Sequence, residues 1–427
     1  MNYPKVLILC SEDIFETNSS GSFTIRSLFG SIPTDNIFQV LCFDNQTNAG
    51  RIDSHHYVLN GNNIVLGRFL KRRNKQRNAI IPTKDVVKSN KNNISLKSIV
   101  KSKVIDLYKS LPYYVSKDLL DYIKESNVDI IYTATSMPRV LRLMNSLSVR
   151  FHIPAIPHFF DDWPNISFDN SAILRVLFQA NLNKVIHNAP FCLCISQLMC
   201  DEYTKRYQYY HFMPFMHSVK REECDEEAVD GTLNLLYAGS LYLGRYETLL
   251  TLCDIVQKHK VNSINIEIYT KNDAWEELKS FFSPFTFVKY GGFIGQEELM
   301  NRIRKSDGLL FFESFFEDIL SYTRLSLSTK VPEYLSSGKR IFAAGHAEQG
   351  SIKYLSDNNA AYVALDKESL EPVFLDFINR KNEEQILKNA CELYNNNHDI
   401  NKQQSKFLRI IQDSLSNEET INNNTRI

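Results

Sequence analysis

The stretch Ser328-Thr329-Lys330-Val331-Pro332-Glu333-Tyr334-Leu335-Ser336-Ser337-Gly338-Lys339-Arg340-Ile341-Phe342-Ala343 decides how this chain is read. A short polar loop enters a helix expected over about 330–337. Gly338 ends that helix, and RIFAAG (340–345) follows as an apolar strand. A helix start exposes unpaired N–H groups, which suit a phosphate, and Lys330 adds a positive charge beside them. Glu333 lies one turn in, where a carboxylate can accept both hydroxyls of a ribose. The same spacing also describes an ordinary capped helix whose first-turn acid complements the helix dipole. Spacing alone leaves both readings open.

Working outward, strand-like and helix-like segments alternate from end to end. In the first half the expected strands are KVLILC (5–10), FQVLCF (38–43), VDIIYTAT (128–135), IPAIPHFF (153–160) and FCLCIS (191–196). In the second half they are LNLLYAG (233–239), INIEIYT (264–270), FTFVKYGGF (285–293), DGLLFFES (307–314) and RIFAAG. Helical periodicity falls between them, near 23, 140–144, 171–187, 197 onward, 245–258, 274–282 and 296–305. The pattern predicts an α/β fold with parallel sheets covered on both faces. It restarts after the acidic, turn-rich stretch 217–232, which reads as a linker. Two domains follow, 1–215 and 216–385, with C-terminal helices at 383–396 and 400–415 and a frayed tail in 386–427.

Composition bounds the function. At roughly 150 residues per domain, 427 residues make two or three domains. A 43% apolar content supports full cores. Lys+Arg and Asp+Glu both number 49, and this balance argues against a dedicated nucleic-acid binder. No apolar run reaches the roughly 18 residues of a spanning helix, and MNYPKVLILC reads as a first strand, not a signal peptide. The eight cysteines have no C-x-x-C spacing and are expected as buried thiols in a reducing, cytoplasmic setting. The charge is nevertheless uneven. Residues 68–117 hold 14 Lys/Arg against Asp85 and Asp106, so this basic insertion carries +12. It reads either as a solvated insertion or as an attachment to an anionic membrane surface; its mixed segment LKSIVKSKVIDLYKSLPYYV has roughly helical apolar spacing, which favours attachment.

Several catalytic signatures are absent. Gly239-Ser-Leu-Tyr-Leu-Gly244-Arg245-Tyr246 lacks the Lys and Ser/Thr of a P-loop. No G-x-G-x-x-G follows the first strand, no G-x-S-x-G occurs, and no H-E-x-x-H occurs. Four clusters remain. Asn18-Ser19-Ser20-Gly21-Ser22 opens a helix. His158-Phe159-Phe160-Asp161-Asp162-Trp163 ends a strand, where open α/β sheets place ligands. Gly239 and Ser240 turn the chain toward Arg245, whose planar fork suits a diphosphate. Tyr290-Gly291-Gly292-Phe293, bordered by Thr270, makes a second glycine turn. The adjacent acids Asp161 and Asp162 are not read as a metal site.

The 328–343 stretch resembles the K-x-x-E-Y-L-A-x-G-K-P-V/I signature of GT-B glycosyltransferases, specifically the retaining family 4-like group. Lys330, Glu333, Tyr334, Leu335, Gly338, Lys339 and Ile341 fit; Arg340 stands where Pro is usual. The resemblance is strong over about 230–365, weaker over 1–215 and absent over 60–120. It implies two Rossmann-like domains facing a cleft, with C-terminal helices crossing back to the first. It implies that Glu333 holds the donor ribose, that Ser328 and Thr329 lie near the diphosphate or sugar, and that Gly239, Ser240, Arg245 and Lys330 bind the diphosphate. Thr270 and Phe293 would border the base, and Ser20 and Gly21 would form an acceptor or phosphate loop. His158, Asp161 and Asp162 would serve at the reacting centre, with Trp163 stacking on a sugar.

Two positions depart from the family pattern: Leu250 stands in place of a second cation, and Leu325 stands eight residues before Glu333 in place of an acid. The donor sugar therefore stays open. The implied activity is transfer of a sugar from a nucleoside-diphosphate sugar to a glycan or polyprenyl-linked acceptor, with retention, without cofactor or metal. The setting would be surface-polysaccharide synthesis, peripheral at the inner face of a bacterial plasma membrane. The alternatives are an epimerase-type enzyme of the same fold, and a non-catalytic glycan-binding protein with a degenerate site.

Overall fold

The structure, a computed structural model, describes residues 3–16, 19–42, 49–65, 107–108, 110–135, 137–166, 171–221, 231–261 and 263–424. Most of the basic insertion, and with it the expected membrane attachment, lies outside the described residues. So do 222–230 of the linker.

The chain divides into two compact units. One comprises Met1–Phe215 with Gln404–Ile427, the other Met216–Gln403. The expected separate segment 386–427 is thus divided between them, and its last helix runs from Ile400 to Asn424. It continues well past 415, where the sequence reading places a frayed tail.

The first unit is built on β1 (Val6–Cys10), β2 (Ile37–Cys42), β3 (Gly50–Arg51), β4 (His56–Leu59), β5 (Ile130–Thr133), β6 (Ala155–Phe159), β7 (Cys192–Cys194) and β8 (Phe212–Pro214). Their order is β3-β4-β2-β1-β5-β6-β7-β8. Only β3 runs antiparallel to its neighbour. Every residue of β1, β2, β5 and β6 is buried, as parallel strands covered on both faces must be. The covering helices are α1 (Ser20–Phe29), α2 (Lys117–Ser126), α3 (Pro138–Phe151), α4 (Trp163–Ile166), α5 (Ala172–Asn188) and α6 (Gln197–Tyr207). Phe407 completes this core, edge-on to Phe29 and Phe215.

The described ends of the basic insertion are tied together. Ile64 and Tyr113 form an antiparallel bridge. Val65 N–H donates to the Pro112 carbonyl at 3.0 Å, and Tyr114 N–H to that of Asn63 at 2.6 Å. Arg139 of α3 lies buried with its guanidinium over the rings of Tyr108 and Tyr113. Its Nη2 donates to the Tyr108 carbonyl at 2.7 Å.

The second unit has β9 (Leu233–Ala238), β10 (Ile264–Tyr269), β11 (Val288–Gly292), β12 (Gly308–Phe312), β13 (Arg340–Ala344) and β14 (Tyr362–Ala364). The order is β11-β10-β9-β12-β13-β14, all parallel. This is the doubly wound order, and its strand sequence reverses between β9 and β12, the place where such sheets bind ligands. Its helices are α7 (Arg245–Lys258), α8 (Asn272–Phe282), α9 (Gln296–Lys305), α10 (Leu320–Thr323), α11 (Lys330–Ser336), α12 (Gly350–Asp357), α13 (Lys367–Ile378) and α14 (Glu383–Asn397). Arg340, standing where proline is usual in the resembled signature, has a structural role. It is buried at the start of β13, donates to the carbonyls of Asp307 (3.3 Å) and Phe377 (3.1 Å), and stacks over the Phe377 ring. A proline there could do none of this.

Candidate functional site

The candidate residues of the second unit stand just beyond β9, β10 and β11 and around the first turn of α11, between β12 and β13. After β9, Gly239 N–H donates to the Tyr269 carbonyl at 3.1 Å, and Ser240 is exposed. The turn then passes through two residues with positive φ, Leu243 at 60° and Gly244 at 76°. Leucine rarely adopts that region, so the turn is held by its surroundings. A Cβ on Gly244 would lie 2.7 Å from Ser314 Oγ, so this close approach to the β12 end requires glycine.

The turn delivers Arg245 to Glu313, the first residue after β12. Nε donates to Oε2 at 2.8 Å and Nη2 to Oε1 at 2.9 Å. Burial opposes the arginine's charge, but the Glu313 carboxylate more than offsets this and its pKa is raised. Thr248 Oγ1 donates to the Glu313 carbonyl at 2.8 Å and fixes the same loop from α7.

Lys330 and Glu333 are also paired, Nζ to Oε2 at 2.6 Å. The glutamate is buried and the lysine half-buried. The first turn of α11 is partly satisfied from within: Ser328 Oγ accepts from Lys330 N–H at 3.3 Å, and the Ser328 carbonyl from Val331 N–H at 3.1 Å. Ser328 N–H donates to Ser351 Oγ at 2.9 Å. Thr329 is the N-cap residue and makes no side-chain cap bond. Tyr334 Oη accepts from Ala238 N–H at 3.1 Å and joins α11 to the end of β9.

Thr270 is buried at the end of β10, and its Oγ1 has no hydrogen-bond partner. A buried hydroxyl without a partner is costly. Its N–H donates to the Gly292 carbonyl at 3.1 Å. No atom lies within 4 Å of where a Cβ would stand on Gly292 or Gly295. Beyond Gly292, Phe293 is 68% exposed. The neighbouring Tyr290 ring stacks flat on Trp275 at 4.6 Å, and its hydroxyl donates to the Thr270 carbonyl.

In the first unit, Ser19 caps α1, its Oγ accepting from Ser22 N–H at 3.0 Å. The Glu12 carboxylate accepts from Ser19 Oγ and from Ser22 Oγ, the latter at 2.8 Å. The start of α1 at Ser20 and Gly21 is therefore faced by the chain's own carboxylate.

His158 is buried on β6 with both ring nitrogens engaged. Nε2 can only donate to the Phe215 carbonyl (3.0 Å), so Nδ1 accepts from the Tyr132 hydroxyl (2.8 Å). Burial lowers its pKa to about 3 and keeps it neutral. Asp162 is buried and held by Arg206 Nη1 (2.6 Å), Arg206 Nη2 (3.1 Å) and Tyr203 Oη (3.0 Å). Asp161 is exposed, and Trp163 begins α4.

Ser314, Ser351 and Glu12 are not among the residues that sequence patterns single out. Glu313 stands 68 residues from its arginine, so only the strand order joins them.

No protein-family model matches the sequence, and no curated protein matches it. Solved structures do resemble it in fold. HepE of Anabaena, solved with UDP and glucose, shares 11% identity at a TM-score of 0.60, over 96% of this chain and 100% of that one. A glycosyltransferase of Rickettsia africae shares 13% at 0.59, over 98% and 100%. The sucrose-phosphate synthase of Thermosynechococcus elongatus shares 10% at 0.61, over 96% and 99%. With two parallel-sheet units and these likenesses along nearly the full length of each chain, the fold is that of the GT-B glycosyltransferases.

Proposed function

We propose that this protein is a glycosyltransferase that moves a sugar from a nucleoside-diphosphate sugar to a hydroxyl of a glycan or lipid-linked glycan. The observation that carries this reading is the Arg245–Glu313 pair at the strand-order reversal of the second sheet, beside a helix that carries the Lys330–Glu333 pair and is joined to the end of β9 by Tyr334. Arg245 and Lys330 bind the diphosphate as its charge develops on departure. Glu333 takes the ribose hydroxyls, Thr270 Oγ1 gains its missing partner, and Phe293 stacks on the base. Ser240, with Gly239, and Ser328 with Thr329 border the phosphates. The acceptor hydroxyl oxygen bonds to the anomeric carbon, its proton passing to the departing phosphate oxygen, as the diphosphate leaves with the bonding electrons.

In the first unit, Asp161 is the exposed carboxylate we assign to the reacting centre. His158 and Asp162 hold its loop, Ser20 and Gly21 border the acceptor, and Trp163 stacks on a sugar. Retention, a surface-polysaccharide acceptor, and attachment of the basic insertion to an anionic membrane follow from the family resemblance and the charge count. HepE binds UDP and glucose, and a UDP-sugar is accordingly the first donor to test.

One observation favours a second reading, a degenerate binding site: Leu325 is buried where the resembled signature carries an acid. A thermal-shift panel of UDP, GDP, ADP and CMP, with and without sugar conjugates and magnesium, separates the two. At a hundredfold excess over the dissociation constant a bound diphosphate adds about 2.7 kcal/mol of apparent stability. The transferase reading expects this for one nucleoside diphosphate, abolished by Glu333→Ala. No shift with any nucleotide would favour the degenerate site.

A further inference from the structure

Helix α5 is apolar on two faces, and the unit covers only one. Phe178, Leu182, Val185 and Ile186 are buried. The opposite stripe runs Ile173, Val176, Leu177, Ala180, Lys184 and His187, in steps that keep to one side of a helix. All six are exposed, and Ile173, Val176 and Leu177 are 75, 67 and 51% exposed. A surface helix ordinarily carries polar groups on its outer face. Single exposed apolar residues need no explanation, but three on one helical turn mark a contact surface.

The charge around this stripe says what it contacts. α5 packs against α3, and Asn188 Nδ2 donates to Asn145 Oδ1 at 2.9 Å between them. Neither helix contains an Asp or Glu. Together they carry Arg139, Arg142, Arg150, Arg175 and Lys184, of which Arg150 and Lys184 are exposed. A nucleic acid would use the cations and leave the aliphatic turn in water. An anionic lipid surface takes both, headgroup phosphates on the cations and acyl chains on the aliphatic turn.

We propose that the Ile173–Val176–Leu177 turn of α5 inserts shallowly into an anionic lipid surface, with Lys184 and Arg150 against its headgroups. The inference goes beyond the basic insertion, assigning membrane contact to a folded face of the first unit, and it does not depend on sugar transfer.

The test is co-sedimentation of the full chain with vesicles of phosphatidylcholine, with and without phosphatidylglycerol. The expected result is binding to the phosphatidylglycerol vesicles that falls by about tenfold or more in Ile173→Gln/Val176→Gln/Leu177→Gln. Those substitutions leave the charge unchanged and sit at exposed positions, and an unchanged melting temperature checks the fold. Lys184→Gln/Arg150→Gln should weaken binding to the anionic vesicles alone. Wild-type protein that stays in the supernatant overturns the proposal. So does equal sedimentation of the triple variant, which would leave the basic insertion as the attachment. Self-association of the wild type that the triple variant loses, seen by light scattering, would assign the face to a second copy. A nucleotide thermal shift run on the same variants reports on the transferase reading separately, since none of these residues lies in that site.

Discussion

Arg245 and Glu313 meet in a two-point ion pair across the strand-order reversal of the second sheet, one residue beyond the turn after β9 and one beyond β12. The arginine assigned to the diphosphate is thus already oriented, with Nε and Nη2 on the carboxylate. An oriented guanidinium loses less freedom on meeting a phosphate than a free one.

Removing one partner of this pair should destabilise the protein. Arg245→Met leaves Glu313 buried without a counter-charge and should cost about 3 kcal/mol in urea unfolding. Arg245→Met/Glu313→Leu should regain most of that stability. Neither variant should show a nucleoside-diphosphate thermal shift; a full shift in the double variant would remove Arg245 from the diphosphate site.

Lys330 and Glu333 should separate by ligand moiety. Lys330→Ala should weaken a nucleoside diphosphate by about tenfold, equal to 1.4 kcal/mol, and leave affinity for the bare nucleoside unchanged. Glu333→Gln should weaken both. Titration calorimetry with uridine and UDP distinguishes these outcomes if UDP is the donor nucleotide.

Gly244→Ala should be costly. The left-handed backbone alone costs about 1–2 kcal/mol for a residue with a side chain, and the new Cβ would press on Ser314 Oγ. Gly295→Ala, at φ −71° with open space around it, should be nearly neutral. Melting temperatures of the two variants check the contrast, and the first should also lose diphosphate affinity because the turn aims Arg245.

The two acids after β6 should part company. Asp162→Asn breaks the buried contact with Arg206 and should lower stability by about 3 kcal/mol. Asp161→Asn, at an exposed position, should cost less stability than Asp162→Asn and reduce turnover of the donor sugar. Equal turnover in wild type and Asp161→Asn would take that residue out of the reacting centre.

Acid should unfold the protein through its buried histidines. Burial lowers His158 and His217 to about 3 and His398 to about 4. His398 is fixed like His158, Nδ1 donating to the His217 carbonyl and Nε2 accepting from the Tyr354 hydroxyl. Each folded-state pKa lies below the unfolded value near 6.5, so the unfolded chain binds protons first. The stability they confer is complete above about pH 6.5 and is lost as pH falls toward 3–4. Between those limits each contributes a slope of up to about 1.4 kcal/mol per pH unit. Urea unfolding at pH 7, 6 and 5 should show the decline, shallower in His398→Asn.

Much of the second unit is legible in its sequence because its strands are continuous apolar runs bounded by turns. Leu309, Leu310, Phe311 and Phe312 are all buried, and Gly338 stops α11 in the left-handed region at φ 69°. Short or interrupted elements are not legible: Phe212–Pro214 has too few residues to show a period, and Lys367–Ile378 contains Pro372. In the candidate site, local patterns mark Lys330, Glu333 and Arg245. They cannot mark Glu313 as the arginine's partner or Asp162 as that of Arg206, since those pairings arise only when distant segments become neighbours. They also cannot tell that His158, though near the end of a strand, has both nitrogens taken by Tyr132 and Phe215.

The bridge between Ile64 and Tyr113 and the clamp of Arg139 on Tyr108 have a consequence for how this chain can vary. They hold Ile64 and Tyr113 one strand spacing apart, so the length of the chain between them is decoupled from the register of the sheet. The stem works as a socket: the intervening residues can be shortened, replaced or fused to another domain while β4 and α2 keep their places.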